Sequence, residues 1–246
     1  MFISSISWNR SKDRTLDDST YHEVFFSNII FWIGLPGSYD IAFAFDTSSS
    51  VSKDDFQRMK QLGQALVGGY QISPAKTRLS LITFGDSVKQ ALTFADSPDI
   101  QSVERGFNQL DLDRRGRVPG ELNWKMFSKY ADSSLFSAQS GSRAYVRKVV
   151  VIFTLKASSL PSEKNKEQEL LKDTLLAKGI KLVVINIDNN VDINDAITPN
   201  GLKPIGGDDP KYFIPVQNSG LLMENFGFIE KKIADSLGKS TSSFTH

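Results

Sequence analysis

The fold is decided by the stretch YDIAFAFDTSSSVSKDDF, residues 39–56. Its first part, residues 39–45, is a nearly continuous apolar run, which is typical of a strand covered on both faces. Asp46 follows at once, then a run of small and hydroxylated residues. Ser52, with Asp55 three positions later, predicts a capping box at the start of a helix. The acid therefore stands at the carboxyl end of a strand, which is where α/β sheets bind their ligands.

The alternation of strand and helix continues along the chain. Apolar runs predict further strands at residues 78–84, 148–155, 180–187 and 211–216, with a hairpin partner at 87–94 after the Gly85-Asp86 turn. Apolar residues at helical spacing predict helices at residues 56–70, 100–107, 122–130, 163–178 and 222–237, with Gly179 as a cap and a short acidic turn near 192–197. We predict an α/β fold: an open, mainly parallel, doubly wound sheet with helices on both faces and one short antiparallel edge strand.

Residues 38–238 show no internal repeat or linker, and we predict that they form a single domain. Residues 1–37 read as an N-terminal extension, and 239–246 as a flexible tail. The apolar run at 24–37, VFFSNIIFWIGLPG, is shorter than the roughly 20 residues of a membrane-spanning helix. It suits the apolar part of a signal peptide, which predicts secretion. A strand or helix packed on the domain and a mis-joined first exon are the alternatives.

Composition excludes several function classes. The chain has 29 basic and 28 acidic residues, a net charge of +1, which argues against broad attraction to nucleic acid or an anionic membrane. It has no cysteine, and its two histidines, His22 and His246, lie near the ends of the chain. Cysteine nucleophiles, thiolate metal sites, histidine-ligated zinc and a Ser-His-Asp triad are therefore not expected.

The turn after the first strand admits several chemistries. A Walker phosphate loop is excluded because no Gly-Lys-Ser/Thr follows. A flavin phosphate loop would lean on glycines that are absent here, and Asp46 would repel the phosphate. An aspartyl-phosphate enzyme would need a second acid nearby. Asp46, Ser48 and Ser50 do offer one carboxylate and two hydroxyls, hard oxygen ligands of the kind that suits Mg²⁺ or Mn²⁺.

Four segments together resemble the von Willebrand factor A domain, also called the integrin I-type domain. They are YDIAFAFDTSSSVSKDDFQRMKQL, RLSLITFGDSV, GSRAYVRKVVVIFT and LKPIGGDDPKYFIPV, followed by a closing helix. The resemblance covers residues 38–238 and implies the Rossmann-like fold predicted above.

The resemblance also implies a metal-ion-dependent adhesion site built from three loops. Its first loop is intact here as Asp46, Ser48 and Ser50, but Val118 stands where the family has Thr and Leu155 where it has Asp. Valine and leucine cannot coordinate, and one carboxylate fewer leaves less charge to offset the dehydration of Mg²⁺. We therefore expect no cofactor and a vestigial metal site, with Asp46 capping the helix and binding loop amides. A weak Mg²⁺ or Mn²⁺ site is the alternative, rescued by another oxygen ligand: Glu121, Ser158 or Ser159.

The resemblance implies a non-enzymatic protein-interaction or adhesion domain of extracellular-matrix type. Its expected partner is a matrix or adhesion protein, with collagen-like proteins among the candidates, and neither nucleic acid nor a membrane span is expected. Three alternatives stay open: an intracellular scaffold module of the same fold, a metal-dependent adhesion domain with a weak rescued site, and a small-molecule enzyme on a similar sheet.

Overall fold

The structure is a computed structural model that describes residues 37–112, 123–155, 162–187 and 213–237. The strands are β1 (Tyr39–Asp46), β2 (Thr77–Phe84), β3 (Val88–Leu92), β4 (Arg147–Leu155), β5 (Ile180–Ile187) and β6 (Phe213–Val216). The α-helices are α1 (Lys53–Val67), α2 (Ile100–Gln109), α3 (Trp124–Tyr130), α4 (Ser162–Ala177) and α5 (Phe226–Ser236). A π-helical turn (Ala131–Leu135) continues α3, and a 3-10 turn (Ser219–Leu221) precedes α5.

The strands form one sheet in the order β3-β2-β1-β4-β5-β6. All neighbouring pairs are parallel except β2 with β3, so β3 is the antiparallel edge strand. The predicted fold class is therefore confirmed. The strand order changes direction at β1, which has β2 on one side and β4 on the other. This is the switch point of the sheet, where a crevice opens at the carboxyl ends of the strands.

Alternate side chains of each central strand enter opposite core layers, because successive residues of a strand point to opposite faces. Phe43 and Phe45 of β1 pack with α1, α2 and α5, whereas Ala42 and Ala44 pack with α3 and α4. Phe45 also stacks on Phe153 of β4, with ring centroids 4.5 Å apart. Burial on both faces explains why β1 is a continuous apolar run rather than an alternating one.

Most element boundaries lie within two residues of the predicted ones, but the last helix begins later. It was predicted from Leu222, which instead follows the 3-10 turn, and α5 begins at Phe226. Before α5, the carbonyl oxygen of Leu221 accepts from both the backbone N–H and the side-chain amide of Asn225, at 3.1 and 2.9 Å.

Several predictions fall on residues that the structure does not describe. These are the run at 24–37 except Gly37, the turn at 192–197 and the tail at 239–246. The domain boundaries at 37/38 and 238/239 stay predictions. Among the helices of the described residues, none is long and apolar enough to cross a membrane.

Candidate functional site

Two neighbouring strands bring the candidate site together at the switch point. In the β1–β4 ladder Phe45 lies beside Phe153, so the next residues, Asp46 and Thr154, lie side by side near the carboxyl ends of their strands. Asp46 also pairs with Phe84 at the end of β2. The carboxyl ends of the three central strands therefore converge on the Asp46 carboxylate.

Both oxygens of the Asp46 carboxylate accept hydrogen bonds from protein groups. The backbone N–H of Ser48 donates to Oδ1 at 2.8 Å. The Thr154 hydroxyl donates to Oδ2 at 2.8 Å, and the backbone N–H of Leu155 donates to the same oxygen at 3.3 Å. Asp46 thus ties its own turn to the end of β4.

The Asp46 side chain is fully buried. Burial raises the pKa of its carboxyl above the ordinary value, and the hydrogen bonds from Ser48, Thr154 and Leu155 lower it without cancelling that effect. Its donors are neutral, and Asp46 has no cationic partner among the described residues. The ionised carboxylate is stabilised by dipoles alone, which makes its charge costly in the folded state.

The turn that follows Asp46 is rigidly held. The backbone N–H of Thr47 donates to the carbonyl oxygen of Phe84 at 2.8 Å, and that of Val51 donates to Ser48 at 3.1 Å. The Ser48 and Ser50 hydroxyls lie 2.9 Å apart and hydrogen-bond to each other. The structure therefore brings together the three residues predicted from the Asp-x-Ser-x-Ser pattern.

The other two predicted loops are only partly described. Leu155 ends β4, and its half-buried side chain packs against the core layer that contains α1 and α5. Val118, Glu121, Ser158 and Ser159 lie outside the described residues. Within the described part of the chain, no group of three or more His, Cys, Asp or Glu side chains is placed to hold a metal ion.

The helix that begins beside the site is anchored at its first turn. Ser52 and Asp55 form the predicted capping box, with the Asp55 N–H donating to the Ser52 hydroxyl at 3.1 Å. The Ser219 hydroxyl donates to Asp55 at 2.6 Å and accepts from Arg58 at 3.0 Å. Partial burial raises the pKa of Asp55, but the hydrogen bonds from Ser219 and Ser52 outweigh it and leave the pKa lowered. The network joins α1 to the 3-10 turn before α5.

Sequence reasoning missed Thr154, the side chain that holds the second oxygen of Asp46. Thr154 is a polar residue in an otherwise apolar run, at the position next to the strand end. A buried polar group needs a hydrogen-bond partner, so its place in the strand was a usable signal. Finding the partner required the β1–β4 register.

The sequence is similar to those of known proteins. The family model described as the von Willebrand factor type A domain matches residues 40–226. Over 121 residues the chain is 24% identical to Matrilin-1 of Gallus gallus, covering 49% of this chain and 24% of the relative. Over 122 residues it is 29% identical to von Willebrand factor A domain-containing protein 1 of Mus musculus, covering 50% and 28%. The chain thus spans about a quarter of the length of these relatives.

Solved structures show the same fold at low identity. Proximal thread matrix protein 1 from the mussel byssus superposes with a TM-score of 0.66 at 18% identity, covering 82% of this chain and 48% of that one. A second structure of that protein, described as having a zinc-occupied metal-ion-dependent adhesion site, superposes with a TM-score of 0.65 at 18% identity, covering 82% and 49%.

Proposed function

This chain belongs to the von Willebrand factor type A family, and we propose that it is a protein-binding module of extracellular-matrix type that engages its partner without a resident divalent metal. The similar proteins support the first part of the proposal, a protein-binding module of extracellular-matrix type, because they include matrilins and a thread matrix protein from the mussel byssus. The finer part, independence from metal, rests on the residues around Asp46.

The donor set around Asp46 fits a hexacoordinate Mg²⁺ or Mn²⁺ poorly, and this observation carries the proposal. Mg²⁺ requires near-octahedral oxygen ligands and gives up its waters reluctantly. Here the carboxylate of Asp46 is buried and already accepts from Ser48, Thr154 and Leu155. At the end of β4, where the family has a second acid, the side chain is that of Leu155, which offers no oxygen ligand.

Asp46 has a sufficient structural role without an ion. Its carboxylate replaces water for two backbone N–H groups and one hydroxyl at the strand ends, and buried polar groups must find such partners. We infer that Asp46 and the Ser48–Ser50 pair persist as the scaffold of the turn. The weak rescued metal site is the second candidate, and the ion titration that closes the Discussion separates the two.

We also propose that the module is not an enzyme. General-base and nucleophilic catalysis need a matched pair of groups within hydrogen-bond reach. The chain has no cysteine, and its two histidines are residues 22 and 246, both outside the residues 40–226 that the family model matches. Asp46 is buried behind its own turn and is unsuited to proton transfer with a substrate.

The same proposal takes the protein to be exported from the cell. If residues 24–37 direct export, protein secreted by a eukaryotic host should begin near Ser38, which N-terminal sequencing would show. Retention in the cytosol with Met1 in place would instead favour the intracellular scaffold.

Binding to matrix proteins with and without a chelator tests the proposed function. The whole chain would be immobilised and exposed to purified fibrillar collagen and matrilin, in EDTA and in millimolar Mg²⁺. We expect binding to at least one of them with the same affinity in both buffers. Binding that disappears in EDTA and returns with Mg²⁺ would contradict the proposal. A chain that binds neither collagen nor matrilin would contradict it as well.

A further inference from the structure

Two helices that cover one face of the sheet leave a groove between them. α3 and α4 pack against each other over the core layer that contains Ala42 and Ala44 of β1. The groove has a volume of about 480 Å³ and is lined by side chains of both helices and of the π-helical turn after α3. Among the described residues that line it, none belongs to the Asp46 site, so the groove is a separate surface of the molecule.

The groove has the length of a short helical segment. At one end is Asn123, whose backbone N–H donates to the carbonyl oxygen of Gly85, just after β2, at 2.9 Å. At the other end is Asp132, whose carboxylate forms an ion pair with Lys178, just after α4, at 2.6 Å. The rise from residue 123 to residue 132 is about 13 Å, or roughly two and a half turns of an α-helix.

The groove contains apolar side chains that the core does not cover. Met126 of α3 is half-buried, and Leu170 of α4 has 51% of its area exposed, whereas the next residue, Leu171, is fully buried in the core layer. Thr174 lies one turn after Leu170 on the same side of α4. A single exposed leucine is ordinary in a folded protein, but one at the edge of a groove is covered when a partner enters, and that burial favours binding.

The α3 side of the groove is basic. Lys125 and Lys129 both line it and are exposed, and their spacing places them one turn apart on the same side of the helix. Asp132, the acid that lines this side, is paired with Lys178. The two lysines therefore give this side of the groove an excess of positive charge.

The α4 side of the groove carries both signs of charge. One turn from Leu170, in one direction or the other, are Lys166, Glu167 and Asp173. Lys166 and Asp173 are exposed and Glu167 is half-buried, and none of the three lines the groove itself. With one base and two acids, this side is weakly acidic, so the groove is polarised across its width, from basic at α3 to weakly acidic at α4.

We propose that this groove is a docking site for a short amphipathic helix of a protein partner, whose apolar stripe packs on Met126 and Leu170 and whose acidic flank faces the two lysines of α3. A helix laid in a groove is a recurring mode of peptide recognition, and here the basic side of the groove selects the acidic flank. A flat anionic membrane would meet the acids of α4 as well as the lysines and would not enter a groove between two helices, which favours a helix. The inference rests on the proposed function only in taking the partner to be a protein.

The test uses two fluorescent helical peptides with the same stripe of leucines, one with glutamates along one flank and the other with lysines in their place. A third peptide has the glutamates and a central proline, which breaks the helix. Fluorescence anisotropy would be measured on the whole chain at low salt, in EDTA and in Mg²⁺. We expect the glutamate peptide to bind about tenfold more tightly than the other two, and equally in both buffers.

Leu170→Glu tests the apolar contact. It should weaken binding of the glutamate peptide about tenfold or more, because it places an acid where the apolar stripe packs. The matched control is Leu176→Glu, the same change at a leucine that is 47% exposed on another side of the same helix. The control should change affinity less than about threefold, and both variants should melt like the wild type because both leucines are exposed.

The pair Lys125→Glu with Lys129→Glu tests the charge. It should reverse the preference, so that the lysine peptide binds more tightly than the glutamate peptide. The control pair Lys53→Glu with Lys231→Glu makes the same charge change on exposed residues of α1 and α5, which pack on the other core layer. The control pair should keep the wild-type preference for the glutamate peptide.

Each outcome decides the inference. Weaker binding in Leu170→Glu but not in Leu176→Glu, together with the reversed charge preference, supports the docking site. Equal binding of the proline peptide, equal losses in the two leucine variants, an unreversed preference, or binding to phosphatidylserine vesicles in place of the glutamate peptide would overturn it. Collagen or matrilin bound only with Mg²⁺ would contradict the proposed function and leave the groove standing. Metal-independent binding of either protein by a chain that does not bind the glutamate peptide would do the reverse.

Discussion

Asp46 shows what a single residue can and cannot reveal from sequence. Its position after an apolar run was enough to place it at the carboxyl end of a strand and to predict bonds to loop amides, such as the one from the Ser48 N–H. The prediction that Asp46 caps the helix was wrong, because Ser52 is the N-cap of α1 and the Asp46 oxygens are taken up by Ser48, Thr154 and Leu155. The partner at its second oxygen, Thr154, is 108 residues away in the chain. That contact depends on which strands are neighbours and on their register. Neither can be predicted from the spacing of residues within one segment of the sequence.

At the residue scale we first predict the effect of removing the Thr154 hydroxyl. Thr154→Val keeps the shape of the side chain but takes a donor from a buried carboxylate, so it should lower the free energy of unfolding by about 1–3 kcal/mol. The matched control is Thr83→Val, near the end of β2, where the hydroxyl makes no hydrogen bond within the described residues. The control should change stability by less than about 0.5 kcal/mol in urea titrations. Equal losses in the two variants would show that the bond to Asp46 contributes nothing.

A second prediction at this scale concerns pH. Because burial raises the pKa of Asp46 in the folded state, the folded protein holds this proton more tightly than the unfolded chain does. The free energy of unfolding should therefore fall, relative to that of Asp46→Asn, as pH rises from the ordinary value of 3.8 through the raised pKa. Above the raised pKa the difference should level off.

Urea titrations of both proteins from acidic to neutral pH would measure that difference. Asp99→Asn is the control, because the Ser102 hydrogen bonds lower the pKa of Asp99. Its ionised form is favoured in the folded state, so wild type should lose stability relative to that variant as pH falls below the ordinary value. A wild-type advantage over Asp46→Asn that grows with pH would contradict a raised pKa at Asp46.

At the scale of elements, strands were easier to predict than the segments that follow helices. The apolar run 180–187 coincides with β5, and Gly179 ends α4 in a left-handed conformation, with φ of +68°. The π-helical turn after α3 was not predicted, nor were the hydrogen bonds that the Arg143 guanidinium donates to the carbonyl oxygens of Tyr39 and Lys76. The bonds of Arg143 are tertiary contacts, because their acceptors lie 104 and 67 positions earlier in the chain.

Two glycines with positive φ provide the prediction at this scale. Gly179→Ala should cost about 1–2 kcal/mol, the strain of a left-handed alanine, because nothing lies within 4 Å of the added Cβ. Gly141→Ala adds a clash, since its Cβ would lie 2.4 Å from the backbone nitrogen of Ala95. Gly141→Ala should therefore lower the melting temperature more than Gly179→Ala does. A larger loss of melting temperature in Gly179→Ala would mean that the backbone around Ala95, after β3, shifts at little energetic cost.

At the scale of the whole molecule, two apolar layers form the core of the sheet, and the proposed function requires that the fold be stable without an ion. The candidate ligands stand at the rim of the sheet, while strands such as β1 and β4 are buried on both faces. We expect thermal melts in EDTA and in millimolar Mg²⁺ to coincide. A specific ion present at 100 times its dissociation constant would add about 2.7 kcal/mol, a shift that calorimetry resolves.

The family resemblance predicts that Val118 and Leu155 stand where two ligands of the family's metal site are expected, and of these two residues the structure describes Leu155. Restoring both ligands is therefore the direct test of the alignment. Leu155→Asp supplies the missing charge, and Val118→Thr adds an oxygen of similar shape. Without metal, the pair should cost about 1–3 kcal/mol, because a polar group replaces part of the core layer.

The central claim, that this family member works without a divalent metal because its site has lost ligands, is tested most directly by calorimetric titration with Mn²⁺. We predict no binding heat for the wild-type chain at millimolar Mn²⁺. The double variant Val118→Thr with Leu155→Asp should bind, with a gain larger than the sum of the single variants, because neighbouring ligands share one ion. Adding Asp46→Ala should abolish that binding. Mn²⁺ binding to the wild-type chain that is lost in Asp46→Ala would contradict the account, as would a folded double variant that binds no Mn²⁺.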